Sequence, residues 1–351
     1  MNAFFTRAQM LHDPLQFMRM GRIAECNDLP SRTEVLLDAL ASVGVSVHEP
    51  ADYGLDPLLA VHAPHYLAFL HDAYTRWSAH AQAGPEVLPN VSYYLNARQE
   101  DQMRSPCRST SIVGQAAFYL GDLACPIGPH TYTSALRSAH TALAACDSVL
   151  GGNRAAYALC RPSGHHAHSD RAAGFCYVNN AAVAAQHLRG KFSKVATLDV
   201  DIHHGDGTQQ IFYRRDDVLT ISMHADPTEY YPYQTGYADE IGFGEGEGYN
   251  LNLPLAHGSG NAEFLAALDQ AGQAVTTFGA EVLVLSLGFD AHKQDPLSVL
   301  ELDTDCFYEV GRRIQALNLP TVIVQEGGYA IDEIGGCLRA FLRGFLPASI
   351  R

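Results

Sequence analysis

Residues 197–207 read Thr-Leu-Asp-Val-Asp-Ile-His-His-Gly-Asp-Gly, which places two carboxylates and an imidazole at alternate positions as an apolar run ends. Val195, Ala196, Leu198, Val200 and Ile202 have the makings of a buried strand, so Asp199, Asp201 and His203 share one face at period two. Two carboxylates buried without a cation are costly, and a metal ion is the natural compensation. A solvated strand end is the alternative, and the apolar neighbours argue against it.

Three further segments bring polar groups to the ends of predicted strands. Arg161-Pro162-Ser163-Gly164-His165-His166 follows a strand at 155–160, and tandem imidazoles suit general acid and base work because they titrate near neutral pH. Ser286-Leu287-Gly288-Phe289-Asp290 closes a strand at 281–288 with a carboxylate, and Asp295-Pro296 lies just beyond. Glu326-Gly327-Gly328-Tyr329 closes a strand at 320–325; its glycines allow close backbone approach and its phenol can donate a hydrogen bond. Taken singly, these are loop histidines, a helix cap and a packing tyrosine. Together, Asp201, His203 and Asp290 make a two-carboxylate, one-imidazole set with a coordination position left open, as in a catalytic rather than a structural metal site. Zinc there would polarise a carbonyl and lower the pKa of bound water towards ~7. The lack of thiolates leaves Fe(II) or Co(II) open as well.

Such segments need a scaffold that aligns strand ends. Strands are predicted at 155–160, 195–201, 218–224, 281–288 and 320–325, and helices at 31–43, 134–150, 179–189, 206–214, 262–278 and 304–317. Near-continuous apolar strands separated by helices predict an α/β domain with a central parallel sheet covered on both faces. In such sheets the site lies beyond the carboxyl ends of the strands. One domain over residues 1–351 is expected, interrupted by an irregular stretch at 83–133 and a tyrosine-rich loop at 225–250 that carries Tyr230, Tyr231, Tyr233 and Tyr237.

Composition narrows the function. Hydrophobic residues make up 47% and charged residues 17%, as in an ordinary globular protein with a large core. The net charge of −15 argues against a nucleic-acid partner and is compatible with a cationic substrate. Eight cysteines without a CxxC pair read as reduced thiols. Neither a signal peptide nor an apolar stretch of ~20 residues is evident, so a cytoplasmic protein away from the membrane is expected.

Read in order, RPSGHHA, GFCYVNNAA, LDVDIHHGDGTQ, SLGFD and EGGY resemble the histone deacetylase superfamily, zinc deacetylases of the arginase-like α/β fold. The resemblance runs from about residue 30 to about residue 340, and the 83–133 insertion with VHAPHYLAFL is similar to its bacterial acetylpolyamine amidohydrolase branch. It implies one zinc per subunit on Asp201, His203 and Asp290. It makes His165, hydrogen-bonded to Asp199, the general base and His166, hydrogen-bonded to Asp206, the general acid. Tyr329 would stabilise the oxyanion. Gly174 and Phe175 match a tunnel wall and Tyr231 a second aromatic wall, with His292 and Lys293 adding positive charge near the mouth. Structural potassium is implied at an inner site (Asp199, Asp201, His203, Ser222, Met223) and an outer one (Phe212, Arg215, Val218, Tyr249), where Arg215 replaces a smaller residue. The insertion is expected to pair two subunits and narrow the tunnel mouth.

The implied reaction is hydrolysis of the acetyl amide of a small cationic N-acetylated polyamine or diamine, giving acetate and the free amine. Residues 102–133 hold one acid, Asp122, preceded by Glu86, Glu100 and Asp101. That is little negative charge for a long polycation, so acetylputrescine or acetylcadaverine is expected over a spermine-like chain. The alternative is deacetylation of acetyl-lysine side chains in proteins. A ligand sensor would need none of His165, His166 and Tyr329, and a binuclear manganese ureohydrolase would need bridging aspartates that DVDIHHGD and SLGFDAHKQDP do not supply.

Overall fold

The computed structural model describes residues 1–91 and 105–346. The chain opens with β1 (Asn2–Phe4), a hairpin of β2 (Phe17–Arg19) and β3 (Arg22–Ala24), α1 (Ser31–Ser42) and β4 (Ser46–His48). α2 (Asp56–Leu59), α3 (Pro64–Ser78), α4 (Ile112–Tyr119) and α5 (Thr131–Leu150) precede β5 (Ala155–Ala158). Helices and strands then largely alternate: α6 (Asn180–Leu188), β6 (Val195–Asp199), α7 (Asp206–Phe212), β7 (Val218–Ala225), β8 (Asn250–Leu255), α8 (Asn261–Phe278) and β9 (Val282–Leu287). α9 (Thr304–Ala316), β10 (Thr321–Gln325) and α10 (Ile331–Phe345) complete the fold.

Eight strands form one sheet in the order β4-β1-β5-β10-β9-β6-β7-β8, and every pairing is parallel. The strand residues sort by parity between two cores. Ala196 and Leu198 of β6, Leu283, Leu285 and Leu287 of β9 and Ile323 of β10 face α1, α8, α9 and α10. Val195, Val282, Val284, Val322 and Val324 face the layer of α3, α4, α5, α6 and α7. Both faces are dry, which is why these strands read as apolar runs without a polar face. The register aligns the strand ends: Asp199 lies opposite Ser222 of β7 and Ser286 of β9, and Gln325 opposite Leu287. The four predicted polar segments therefore leave the sheet at one edge.

The α/β single-domain architecture matches the expectation. The stretch 83–133 is more ordered than expected, since it contains α4 and the first residues of α5; its central part, residues 92–104, lies outside the described residues. Among the described residues no helix is long and apolar enough to cross a membrane.

Candidate active site

The chain leaves β6 at Asp199 and turns back on itself through its own carboxylates. Asp199 Oδ1 accepts the Asp201 N–H at 3.0 Å, and Asp201 Oδ1 accepts the His203 N–H at 2.9 Å. Asp201 Oδ2 accepts the N–H of Gly327 from the end of β10 at 2.8 Å, and Asp290 Oδ1 accepts that of Ile202 at 3.1 Å. These bonds stitch the ends of β6, β9 and β10 together and aim what remains of each carboxylate at one point.

That point is the convergence of Asp201, His203 and Asp290, all buried, with ligand atoms within 4.8 Å of one another. His203 Nδ1 lies 3.1 Å from Asp201 Oδ1 and 3.2 Å from Asp290 Oδ2. On the far side of the ring, Tyr230 donates its hydroxyl to the Leu297 carbonyl, so its oxygen is left to accept from His203 Nε2, 3.0 Å away. That bond puts the ring proton on Nε2 and points the Nδ1 lone pair at two carboxylates, an arrangement that calls for a cation between them. A proton is the substitute when no ion is bound. Burial and the Asp201 charge push Asp290 up to about 7, and the two carboxylates, against the pull of burial, raise His203 to about 9. The donor set therefore fits a single divalent ion with three protein ligands and an open position. A second convergence, His165, Cys176 and Glu326, does not have this character. The Glu326 oxygens already accept the Gly164 and His165 N–H groups and the Ser286 hydroxyl, and burial pushes the Cys176 thiol far up.

Two imidazoles stand beside the metal-type set, ring centroids 4.0 Å apart. His165 Nδ1 is 2.8 Å from Asp199 Oδ2, and His166 Nδ1 is 2.6 Å from Asp206 Oδ1 at the start of α7, both as expected from the sequence. Their environments diverge. Burial disfavours charge on both, but Asp199 and Asp201 overcome it at His165 and raise that imidazole well above its ordinary value. At His166 burial, reinforced by neighbouring His165, pulls the ring down to about 4 against the Asp206 carboxylate, which also serves the Nε2 of His168 at 2.8 Å. With no ion bound, His165 is thus the more basic imidazole of the pair and His166 the less basic.

Tyr329 is set from three sides. Asp295 Oδ2 accepts its N–H at 2.6 Å and that of Ala330 at 3.0 Å. The Arg32 guanidinium lies 4.7 Å from its ring centroid, and the Phe175 ring packs edge-on at 5.9 Å. Burial pushes the phenol far above its ordinary value, so it remains a donor.

Gly174, Phe175 and Tyr231 border His166 and Tyr329. Gly174 (φ +53°) and Phe175 (φ +67°) occupy consecutive left-handed positions, and a Cβ on Gly174 would lie 2.3 Å from His166 Cδ2. Tyr231 meets His166 edge-on at 5.0 Å. His292 is buried, with its ring nitrogens against the Gln294 N–H and the Thr304 hydroxyl, and burial lowers its pKa. Asp199 and Ser222 sit side by side in register, with Met223 following. The Arg215 guanidinium is turned onto Asp217 and Gln186, and the carbonyls of Phe212 and Tyr249 accept the N–H groups of Arg215 and Thr220.

Sequence reading missed several participants. Arg32 and Arg161 share the buried Asp28 carboxylate oxygen, at 2.5 and 3.1 Å, and Arg32 also donates to the carbonyls of Glu326 (2.8 Å) and Gly328 (2.5 Å). His168 was legible as a third imidazole two residues beyond His166. Arg32, a lone arginine in an amphipathic helix, gave no such signal.

The histone deacetylase domain model matches residues 27–345, and the chain belongs to that family. It is 46% identical to the acetylpolyamine amidohydrolase of Burkholderia pseudomallei (strain 1710b), covering 98% of both chains, and 43% identical to acetylpolyamine amidohydrolase 1 of Pseudomonas aeruginosa, covering 94% of both. A crystal structure of the Burkholderia pseudomallei acetylpolyamine aminohydrolase superposes with a TM-score of 0.93 over 98% of each chain. The HDA15 HD domain, 24% identical with a TM-score of 0.79 over all of this chain and 92% of its own, shares the fold. The family membership and the bacterial branch expected from the motifs are thereby established, and the protein is an amide hydrolase of the deacetylase class.

Proposed function

We propose that this protein hydrolyses the acetyl amide of small N-acetylated diamines, with acetylputrescine and acetylcadaverine as the intended substrates. The observation that carries the chemistry is the convergence of Asp201, His203 and Asp290 beside two carboxylate-held imidazoles and a protonated tyrosine. The substrate class is supported by relatives named acetylpolyamine amidohydrolase at 38–46% identity over 93% or more of the chain.

Asp201, His203 and Asp290 would hold one zinc ion, which supplies Lewis-acid polarisation of the amide carbonyl and acidifies water. The remaining work falls to side chains. Phe175 and Tyr231 flank the methylene chain and orient the amide. His166, neutral at rest, takes a proton from the attacking water and returns it to the departing amine. His165, kept protonated beside Asp199, supplies fixed positive charge where negative charge grows. The Tyr329 phenol donates to the amide oxygen as it becomes an oxyanion. Potassium at the inner and outer positions, and a homodimer paired through the 83–133 insertion, complete the proposal.

The test is kcat/KM of the zinc-reconstituted protein for N-acetylputrescine and N-acetylcadaverine against an acetyl-lysine peptide. A preference of about 100-fold for the diamines, about 2.7 kcal/mol in transition-state binding, is expected. Preference for the peptide would replace this reading with a protein deacetylase.

A further inference from the structure

Asp122 lies between α4 and α5 and is the single carboxylate of residues 105–133. Its Oδ1 accepts the Ala124 N–H at 2.8 Å, which closes a local turn. Its Oδ2 accepts two bonds from distant segments, the Tyr231 O–H at 2.7 Å and the Gly174 N–H at 2.8 Å. Those are the two segments that flank His166. The Tyr231 ring stands at 90° to the imidazole with centroids 5.0 Å apart, and Gly174 approaches until only a hydrogen fits between it and the ring. Asp206 fixes the imidazole's Nδ1 at 2.6 Å, so the orientation about that bond is left to the flanking walls.

We propose that Asp122 is a positioning residue for the hydrolysis: one oxygen clamps Tyr231 and Gly174 against His166 and holds that imidazole at the angle proton transfer requires. The proposal deepens the reading of His166 as the acid–base group and rests on it. Without Asp122 the phenol and the Gly174 N–H lose their shared acceptor in a half-buried region, and each must find another partner by moving. Either movement opens the space beside His166. Proton transfer is sensitive to such shifts, since a displacement of about 1 Å can cost about 100-fold in rate. The insertion is thereby coupled to the chemistry through Asp122.

The experiment compares Asp122→Ala, Asp122→Asn, Tyr231→Phe and the Asp122→Ala/Tyr231→Phe double variant, all metal-loaded, with N-acetylputrescine and the uncharged N-acetylbutylamine. Asp122→Ala is expected to lower kcat about tenfold on both substrates while KM moves less than about threefold. Asp122→Asn, which retains an accepting oxygen, should recover part of that loss, and the double variant should be no worse than Asp122→Ala alone. Tyr231→Phe removes one oxygen atom and keeps the ring, so with Asp122→Asn it decides the matter even if Asp122→Ala does not fold. Unchanged kcat, additive losses, or a loss carried in KM would overturn the proposal, and a loss confined to the charged substrate would make Asp122 a charge contact instead. His166→Ala serves as the control: turnover surviving in that variant refutes the acid–base reading, whereas its loss alongside unaffected Asp122 variants refutes this inference alone.

Discussion

The guanidinium of Arg32 lies over the ring of Tyr329, 4.7 Å from its centroid, and binds the carbonyls of Glu326 and Gly328, which bracket Gly327 just before the tyrosine. An arginine from α1 thus fixes the loop after β10. Arg32→Ala removes this brace and leaves Asp28 buried with Arg161 as its remaining cation. It is expected to destabilise the fold by about 1–3 kcal/mol, because buried acceptors lose their donor while Arg161 still balances the Asp28 charge. Urea unfolding measures it; a midpoint equal to wild type would show that the contact contributes nothing. Arg32→Lys should recover little, since an ammonium cannot span three acceptors in one plane.

Gly174 leaves no room for a side chain beside His166. A methyl group there falls 2.3 Å from His166 Cδ2 at a φ of +53°, so Gly174→Ala must displace the imidazole or the backbone. Overpacking of this kind costs about 1–3 kcal/mol, and turnover should fall by about 100-fold or more. Steady-state assay beside a thermal melt separates the two effects, and near-wild-type turnover would refute the contact.

Tyr329 should matter to turnover and not to metal retention. Tyr329→Phe removes the proposed oxyanion donor, and loss of one such donor typically costs about 100–1,000-fold in kcat. Metal content by atomic absorption should be unchanged. Turnover equal to wild type would exclude the phenol from the reaction.

Proton and metal compete for the same carboxylates, which fixes a pH dependence. Without an ion, Asp290 titrates at about 7 in the folded protein, raised by burial and Asp201 above the ordinary carboxylate range. A carboxyl raised on folding adds stability below its unfolded pKa and loses it as pH rises through the folded value. The chelated protein should therefore lose stability from this group as pH goes from about 4 towards about 7, while the ion-bound form is spared. The rise in Tm on adding zinc should be larger at pH ~7.5 than at pH ~5.5. Equal shifts at both values would contradict carboxylate ligation.

Much of this was readable because parallel strands are apolar throughout and shed their polar groups at one end. Helix α8, for example, was expected at 262–278 and runs Asn261–Phe278. β8 was not legible: Asn250 and Asn252 alternate with leucines, and both donate to Gln209 Oε1, a buried partner no local pattern announces. α10 was hidden by Gly335, Gly336 and Gly344, poor helix formers; α9 packs so closely on Gly344 that a Cβ there would lie 2.0 Å from the Tyr308 carbonyl. β1 and β4 are three residues each, too short to show a period. In the site, motifs exposed the ligand set and both His–Asp pairs. The proton bias between His165 and His166 depended on Asp201 lying beside His165 and on the burial of His166, and the place of His292 on packing against Thr304, none of which spacing records.

The central claim is one catalytic divalent ion on Asp201, His203 and Asp290, and metal titration of the chelated protein tests it most directly. Acetate release from N-acetylputrescine should return in proportion to added zinc and saturate at about one equivalent, while Asp290→Asn should neither retain zinc nor recover. Full turnover in the chelated protein, or a full complement of zinc in Asp290→Asn, would contradict it.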